Sequence, residues 1–249
     1  MNFPALAETE TPQPDCPEDV VWNFAFGSNL HPEKREGRAN LCIDEVVPGC
    51  LPGWRLAFNL KSIRWLEPSM AGIEPDPDAV VHGVLLRFSP EEFRKLVQSE
   101  GDGHSYELVQ VEVQAYDGRS IQARAFRALP HRKYPEDVPP SLRYLTLIRE
   151  GARRSQLSAE YVEWLDGLPH TEKSFFLCWV SRTLMATVMW IGRLGYPQFG
   201  AYLFRTLRWI DHRPRWVRVP LNFACLTPVV SLGVVHGLLL MLRRRKGPC

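Results

Sequence analysis

Trp22-Asn23-Phe24-Ala25-Phe26-Gly27-Ser28-Asn29-Leu30 is the stretch on which the fold turns. An aromatic-rich apolar run meets Gly-Ser-Asn and passes at once into the polar segment His31 to Arg38. That order predicts a buried strand, a tight turn and then a helix or loop. Gly27 lets the backbone adopt a positive φ or lie close against a ligand, which side-chained residues do at greater cost. Successive amides in such a turn form a cup for anionic or carbonyl oxygens. Ser28 and Asn29 add a hydroxyl and an amide beside that cup. The turn alone is equally compatible with Ser28 or Asn29 simply capping a helix.

Around this stretch lie 249 residues, enough for one sizeable domain with an addition or for two small ones. A formal net charge of +2 gives no overall case for nucleic acid or acidic partners. The charge is unevenly spread. Arginines crowd the last third, from Arg182 to Arg245, while carboxylates nearly vanish after Glu172. The six cysteines contain no C-x-x-C pair and no metal-like spacing with histidine, so free thiols in a reducing compartment are expected. Residues 1–19 are acidic and proline-dotted without an apolar core, which reads as a disordered lead-in and not a signal peptide.

In chain order, Cys42–Val47 and Trp54–Leu60 read as two strands, with Pro48-Gly49 and Pro52-Gly53 as turns between them. Glu67–Asp78 carries three prolines and reads as a loop, with a short strand near Gly72-Ile73 as the alternative. Val80–Phe88 is an interior strand. Ser89-Pro90-Glu91-Glu92 opens a helix, with Ser89 as N-cap, Pro90 at the first position and Gly101 as its end. Tyr106–Tyr116 and Arg119–Ala128 flank Asp117-Gly118, a strong hairpin signal. Helices follow at Ser141–Arg154 and Ser158–Leu165. Strands come mostly before long helices, which is an α+β or barrel-like pattern and not a βαβ repeat.

The last third reads differently. Ser174–Gly192 is strongly apolar around Arg182, and Val219–Leu242 contains no charged residue before Arg243-Arg244-Arg245-Lys246. A run of this length meets the roughly 20 apolar residues of a membrane span, where Pro220 and Pro228 are tolerated. The expectation is insertion of Val219–Leu242, with Trp209 and Trp216 near an interface and Ser174–Gly192 lying on the surface or on its neighbours. The alternative is a helical hairpin that extends a globular core.

Chemistry concentrates in Gly27-Ser28-Asn29 together with Gln98-Ser99-Glu100-Gly101 and Tyr106. A carboxylate at a helix end before a Gly-containing loop can face a pocket beside a strand-end turn, and a partly buried carboxylate of that kind exchanges protons near neutral pH. Spacing alone also fits a solvated helix-end acid. Ser28 lacks the G-x-S-x-G context of a serine hydrolase. His31, His82 and His104 have no paired spacing and read as structural or surface histidines.

Phe24-Ala25-Phe26-Gly27-Ser28-Asn29-Leu30 resembles the Y-G-S-N-L signature of the γ-glutamylcyclotransferases. Leu96-Val97-Gln98-Ser99-Glu100-Gly101, followed by Tyr106 and Val109–Val113, resembles their glutamate-bearing segment. Pro139-Pro140-Ser141-Leu142-Arg143-Tyr144 through Gly151-Ala152 resembles the later P-P-S-x-x-Y helix. The resemblance runs from about Trp22 to Leu168 with all segments in order. It implies an α+β fold around a small, mixed, partly closed β-barrel over residues 20–170; residues 171–249 fall outside it, and their apolar runs make a helical, membrane-associated region the expectation there. It also implies conversion of γ-glutamyl amines or amino acids into 5-oxoproline and a free amine, with no metal or organic cofactor. Glu100 would be the general acid–base. Phe26, Gly27, Ser28, Asn29, Leu30, Tyr106 and Tyr144 would contact the small-molecule substrate.

Two departures stand out. Phe26 occupies a position where the family usually has tyrosine, and the apolar, arginine-rich last third has no counterpart in the familiar soluble members. These departures support a rival reading, a non-catalytic module of the same fold serving as a binding or assembly subunit at a membrane. If catalytic, the domain should face the cytosol or another reducing space.

Overall fold

The computed structural model describes residues 20–36, 41–100, 105–172, 175–196, 198–211 and 213–245, the side chains of 175, 176, 201 and 236–245 excepted. Five strands close a barrel in the order β1-β3-β2-β4-β5. The short β1 (Val21–Ala25) is its seam. It pairs antiparallel with β3 (Ser69–Phe88), Phe24 opposite Leu85, and parallel with β5 (Ser120–Ala128), Phe24 opposite Ala125. Both its edges are therefore occupied, which is why its residues form a nearly continuous apolar run. β4 (Tyr106–Ala115) and β5 form the hairpin around Asp117-Gly118, where Gly118 adopts φ +90°.

Two sequence expectations are corrected here. Cys42–Val47 and Trp54–Leu60 are not separate strands, because β2 is a single strand from Glu45 to Lys61. Its register shifts between Pro52 and Trp54, where Gly53 takes φ +77°. The Pro-Gly pairs bend and bulge the strand instead of ending it. Likewise Glu67–Asp78 is not a loop, since most of it belongs to β3. The prolines are tolerated because of where they fall. β2 meets β4 only at Gly49 and Cys50, and β1 covers only Val84 to Phe88 of β3. Pro48 lies at the end of the short β2–β4 contact, its carbonyl accepting from the Tyr116 amide (2.9 Å), so one missing N–H costs little there.

Helices α1 (Pro32–Glu36), α2 (Pro90–Ser99), α3 (Leu142–Arg154) and α4 (Ala159–Gly167) accompany the barrel. Ser89, Ser141 and Ser158 accept the amides of Glu92, Tyr144 and Tyr161, capping α2, α3 and α4. The α2 helix stops at Ser99, with Glu100 as its C-cap; Gly101, expected to end it, lies outside the described residues, as do His104 and the 1–19 lead. Phe24, Phe88, Leu85, Leu145, Ile148 and Leu165 are fully buried in one core shared by the barrel and α2 to α4.

Three more helices follow: α5 (Phe175–Arg193), α6 (Gln198–Asp211) and α7 (Arg215–Arg245). α6 was not foreseen, its short amphipathic pattern being obscured by its arginines. Ile63, Leu184, Leu203, Leu207 and Val229 form a second core, so the three helices rest on the segment between β2 and β3. The backbone amide of Arg64 reinforces this contact by donating to Asp211 Oδ2 (3.2 Å). Pro220 and Pro228 lie within α7. Arg215–Val235 is long and apolar enough to cross a membrane, and only 6% of its apolar window is buried inside the protein.

Candidate active site

Past Ala25 the chain leaves the barrel and makes one 3₁₀ turn, Ser28–Leu30. The Leu30 amide donates to the Gly27 carbonyl (3.0 Å) and that of His31 to Ser28 (3.2 Å). The leading amides of Ser28 and Asn29 are those a helical turn leaves without internal partners. Gly27 has φ −107°, so glycine is needed here for close approach and not for a positive φ. A Cβ on it would lie 3.3 Å from Ala71 Cβ and 3.4 Å from the Tyr144 hydroxyl.

α3 fixes the turn from beneath. A Cβ on Gly151 would stand 2.6 Å from the His31 nitrogen and 2.7 Å from Leu30, so this glycine lets α3 lie directly on the turn's backbone. The Leu30 carbonyl accepts from Arg35 Nη1 (3.0 Å) and Ser155 Oγ (3.2 Å). In turn α3 is anchored by buried Glu67. Its carboxylate accepts from the Ser141 amide (2.9 Å), the Ser141 hydroxyl (2.7 Å) and Arg143 Nη2 (3.0 Å). A carboxylate on the first amides of a helix is held by charge-assisted hydrogen bonds and by the helix dipole together.

A narrow cavity of about 50 Å³ opens over this turn, lined by residues Asn23 to Asn29, Met70, Ala71, Glu100, Tyr106, Phe126 and Tyr144. The Asn29 side chain donates from Nδ2 to Glu100 Oε1 (3.1 Å), tying the turn to the end of α2. Asn29 Oδ1 is buried and makes no hydrogen bond, which leaves an acceptor for an incoming donor. The Tyr144 hydroxyl accepts from the Ala71 amide (3.2 Å). Burial pushes this phenol up to about 12, so it stays protonated and its own O–H remains a donor. Tyr106 stands edge-on to Phe126, their centroids 5.8 Å apart, and forms another wall.

The sequence thus brings together Phe26, Gly27, Ser28, Asn29, Glu100, Tyr106 and Tyr144 on one cavity. Leu30 is the exception and its expected substrate contact is corrected. Its side chain is fully buried in the core and its amide is taken by Gly27. Met70, Ala71 and Phe126 line the cavity without having been singled out, and nothing in their local sequence marks them. Gly151 was visible, as a glycine inside a helix whose presence calls for a packing reason. Among the described residues, no group of three or more His, Cys, Asp or Glu is placed to hold a metal. A larger cavity of about 670 Å³ lies elsewhere, among Leu56, Phe58, His82, Tyr161 and Trp164, away from the glycine turn.

Comparison with known proteins agrees with this architecture. Residues 80–165, which contain Glu100, Tyr106 and Tyr144, match the AIG2-like family. The chain is 30% identical to the γ-glutamyl cyclotransferase verK of Clonostachys rogersoniana over 152 residues, 52% of this chain and 83% of that protein. This chain belongs to the γ-glutamyl cyclotransferase family. It is also 31% identical to the γ-glutamyl cyclotransferase gliK of Aspergillus fumigatus over 63% of its length, and 28% identical to the human γ-glutamylcyclotransferase over 61%. The chain spans less than two thirds of the Aspergillus fumigatus and Aspergillus oryzae relatives, 65% and 59% of their lengths. Among solved structures, a γ-glutamyl cyclotransferase superposes with a TM-score of 0.54 at 24% identity, covering 99% of that structure and 66% of this chain. That likeness shows the fold, and it leaves a third of this family member outside the match.

Proposed function

We propose that this protein cyclises γ-glutamyl amines or γ-glutamyl amino acids to 5-oxoproline, releasing the amine. The observation that carries the reading is Glu100, held by Asn29 on the same cavity as the glycine turn. The glutamyl group enters with its carbonyl oxygen toward the Ser28 and Asn29 amides. Glu100 takes a proton from the α-ammonium, freeing its lone pair. The amine attacks the γ-carbonyl carbon and a C–N bond closes a five-membered ring; as the amide C–N bond breaks, Glu100 gives its proton to the leaving nitrogen and takes the surplus proton of the ring nitrogen, which the released amine carries away as its ammonium. Nucleophile and electrophile share one molecule, so one proton shuttle suffices and the protein mainly fixes the reactive conformer. The turn amides meet the oxyanion without reorganising. Asn29 Oδ1 offers an acceptor to the substrate ammonium, and the protonated Tyr144 hydroxyl, close to Gly27, adds a donor.

Phe26 still fills the cavity wall with its ring and supplies no hydroxyl, which bears on rate more than on the shuttle. A retired, non-catalytic site is disfavoured by the carboxylate and the turn sharing an open cavity. The test is release of 5-oxoproline from γ-glutamyl amino acids, γ-glutamyl-lysine and glutathione. Glu100→Gln is expected to lose on the order of 100-fold or more in kcat. Equal rates for wild type and variant on every substrate would overturn the catalytic reading.

The membrane attachment belongs to the same proposal. α7 carries the span, and the catalytic barrel faces the cytosol or another reducing space, where the free thiols of Cys42, Cys50, Cys178 and Cys225 are at home.

A further inference from the structure

A cavity of about 320 Å³ lies between α5 and α7, apart from the candidate active site. Among its walls are Trp65 from the connection between β2 and β3, Trp179 of α5, and Asn222, Phe223, Leu226 and Val230 of α7. The spacing of those four places them on one stripe of the helix. Trp179 and Phe223 are exposed, so the cavity opens on the outer surface of the helices. A mostly apolar hollow of this size with a few polar atoms has the character of a small-molecule site.

Two polar atoms on these walls are left over. Trp65 Nε1 and Asn222 Oδ1 are both buried, and among the described residues neither has a hydrogen-bond partner. Thr227, on the same wall, gives its hydroxyl to the Phe223 carbonyl (2.7 Å). Buried polar groups are rarely left unpaired, and a bilayer offers no water to pair them. The indole N–H only donates and the amide oxygen only accepts. A carboxylate or phosphate would satisfy the first and oppose the second, and an ammonium would do the reverse. A hydroxyl serves both. The cavity also has a direction. Asn222 lies four residues past Arg218 and six past Trp216, at the basic, aromatic end of the span. Val230 lies eight residues further on, about 12 Å along the helix. The polar end thus meets the interface and the apolar end the hydrocarbon, as an amphiphile with one small polar group requires.

We propose that this cavity binds a sterol, its hydroxyl accepting from Trp65 Nε1 and donating to Asn222 Oδ1, its ring system lying along Trp179, Phe223, Leu226 and Val230. This rests on the membrane attachment proposed above and is independent of the cyclotransferase chemistry. Aromatic walls suit a flat, rigid body, which buries a large area with few torsions to freeze. A diacylglycerol also carries a hydroxyl, but it would bring two flexible chains to a single stripe of one helix.

Full-length protein in phosphatidylcholine vesicles containing a diazirine-bearing cholesterol tests the site. Labelling is expected on the α7 segment from Asn222 to Ser231 and should be competed by cholesterol. Cholestenone, whose ring ketone accepts but cannot donate, should compete about 3- to 10-fold less well, the worth of one hydrogen bond. Trp65→Phe and Asn222→Leu keep the apolar bulk, remove one partner each, and should weaken labelling by a similar factor. In sterol-free vesicles Asn222→Leu should melt no lower than wild type, while added cholesterol should raise the melting temperature of wild type more than that of either variant. A variant that merely misfolds cannot do both. Labelling spread evenly over α5 to α7, equal competition by cholestenone, or labelling unchanged in both variants would make the sterol bulk lipid only, overturning the site and leaving the membrane attachment intact. Competition by dioleoylglycerol and not by cholesterol would overturn the sterol in favour of a glycerolipid. Full-length protein that fails to float with vesicles on a density gradient would overturn the membrane attachment itself, and the site with it.

Discussion

In the barrel the largest side chains point inward, and Phe24, Phe88, Leu85 and Leu86 are 1% exposed or less. In α5 to α7 they point outward: Tyr202, Trp216 and Phe223 are 71%, 79% and 70% exposed. Charges divide the same way. Arg127 of β5 pairs with Glu74 and Glu107, and Arg153 of α3 with Asp166. After Glu172, twelve lysines and arginines share a single side-chain carboxylate, Asp211, which is itself buried. Where the three helices touch, Leu184, Leu203, Leu207 and Val229 pack together, and small residues bring the backbones close. A Cβ on Gly233 would overlap Thr187 Oγ1 and lie 2.9 Å from Thr183 Cγ2, and one on Gly200 would lie 2.7 Å from Val188. Close contacts at glycine and threonine with apolar side chains turned outward suit helices surrounded by lipid, where burial of oily surface between helices gains little. The barrel region buries its large apolar side chains, whereas α5 to α7 leave several of theirs exposed beside an excess of arginine.

The sharpest break of that contrast is to separate the two regions. Full-length protein is expected to pellet with membranes and resist carbonate extraction. A chain ending at His170 should appear in the supernatant. The barrel core draws no residue from α5 to α7, so its fold should persist, although Ile63, now 3% exposed, would lose its cover. Circular dichroism and 5-oxoproline release from the shortened chain check both parts. A full-length protein that is monodisperse without detergent would sink the membrane assignment and leave α5 to α7 as a helical extension of the core.

A second test sharpens the barrel side, where precision of backbone contact matters. Gly151→Ala forces a Cβ to within 2.6 Å of the His31 nitrogen, which cannot move without shifting Ser28 and Asn29. Overpacking of this kind costs about 1–3 kcal/mol. Displacing the turn by a fraction of an ångström should lower kcat by about 10- to 100-fold. Gly167→Ala, at the end of α4 with no atom within 4 Å of the new Cβ, is the matched control and should change neither. Thermal melts and steady-state rates on the pair decide it, and wild-type behaviour of Gly151→Ala would mean the turn is not held by α3.

The same two positions explain what could be read beforehand. β1, the glycine turn, the Ser89 and Ser141 caps and the Asp117-Gly118 hairpin each write their geometry into consecutive residues, and these were legible. The long β2 and β3 were not, because prolines that normally end strands fall here at a ladder end (Pro48) and at a register shift (Pro52), and those places are set by the neighbouring strands and not by the strand's own sequence. At the site, Glu100 and Tyr144 were legible through motifs. Met70, Ala71 and Phe126 were not, since their role comes from register across the sheet. Glu67 was hidden similarly: it precedes a proline and looks like a loop acid, yet it anchors α3 from 74 residues away. Leu30 erred in the other direction, its place in a motif lending it a contact that its burial rules out.

The smallest effect expected concerns His82, at the barrel's second cavity. Its Nδ1 contacts the Tyr116 hydroxyl and its ring stacks on Tyr161 at 4.6 Å, with Trp164 stacked beyond. Burial depresses its pKa below the ordinary 6.5, and the negative charge of Glu160 only partly opposes this. The sign follows directly. The unfolded chain binds the proton more readily than the folded one, so stability rises with pH through the window at and below 6.5. The ring is only partly buried, which screens the effect and keeps it modest. Melting temperature should therefore fall slightly from pH 7 to pH 5, and His82→Gln should flatten that part of the slope while leaving 5-oxoproline release unchanged. A slope of the opposite sign at His82 would mean that Glu160 outweighs burial. In that case the second cavity would hold an ion pair and not the neutral aromatic stack of His82, Tyr161 and Trp164.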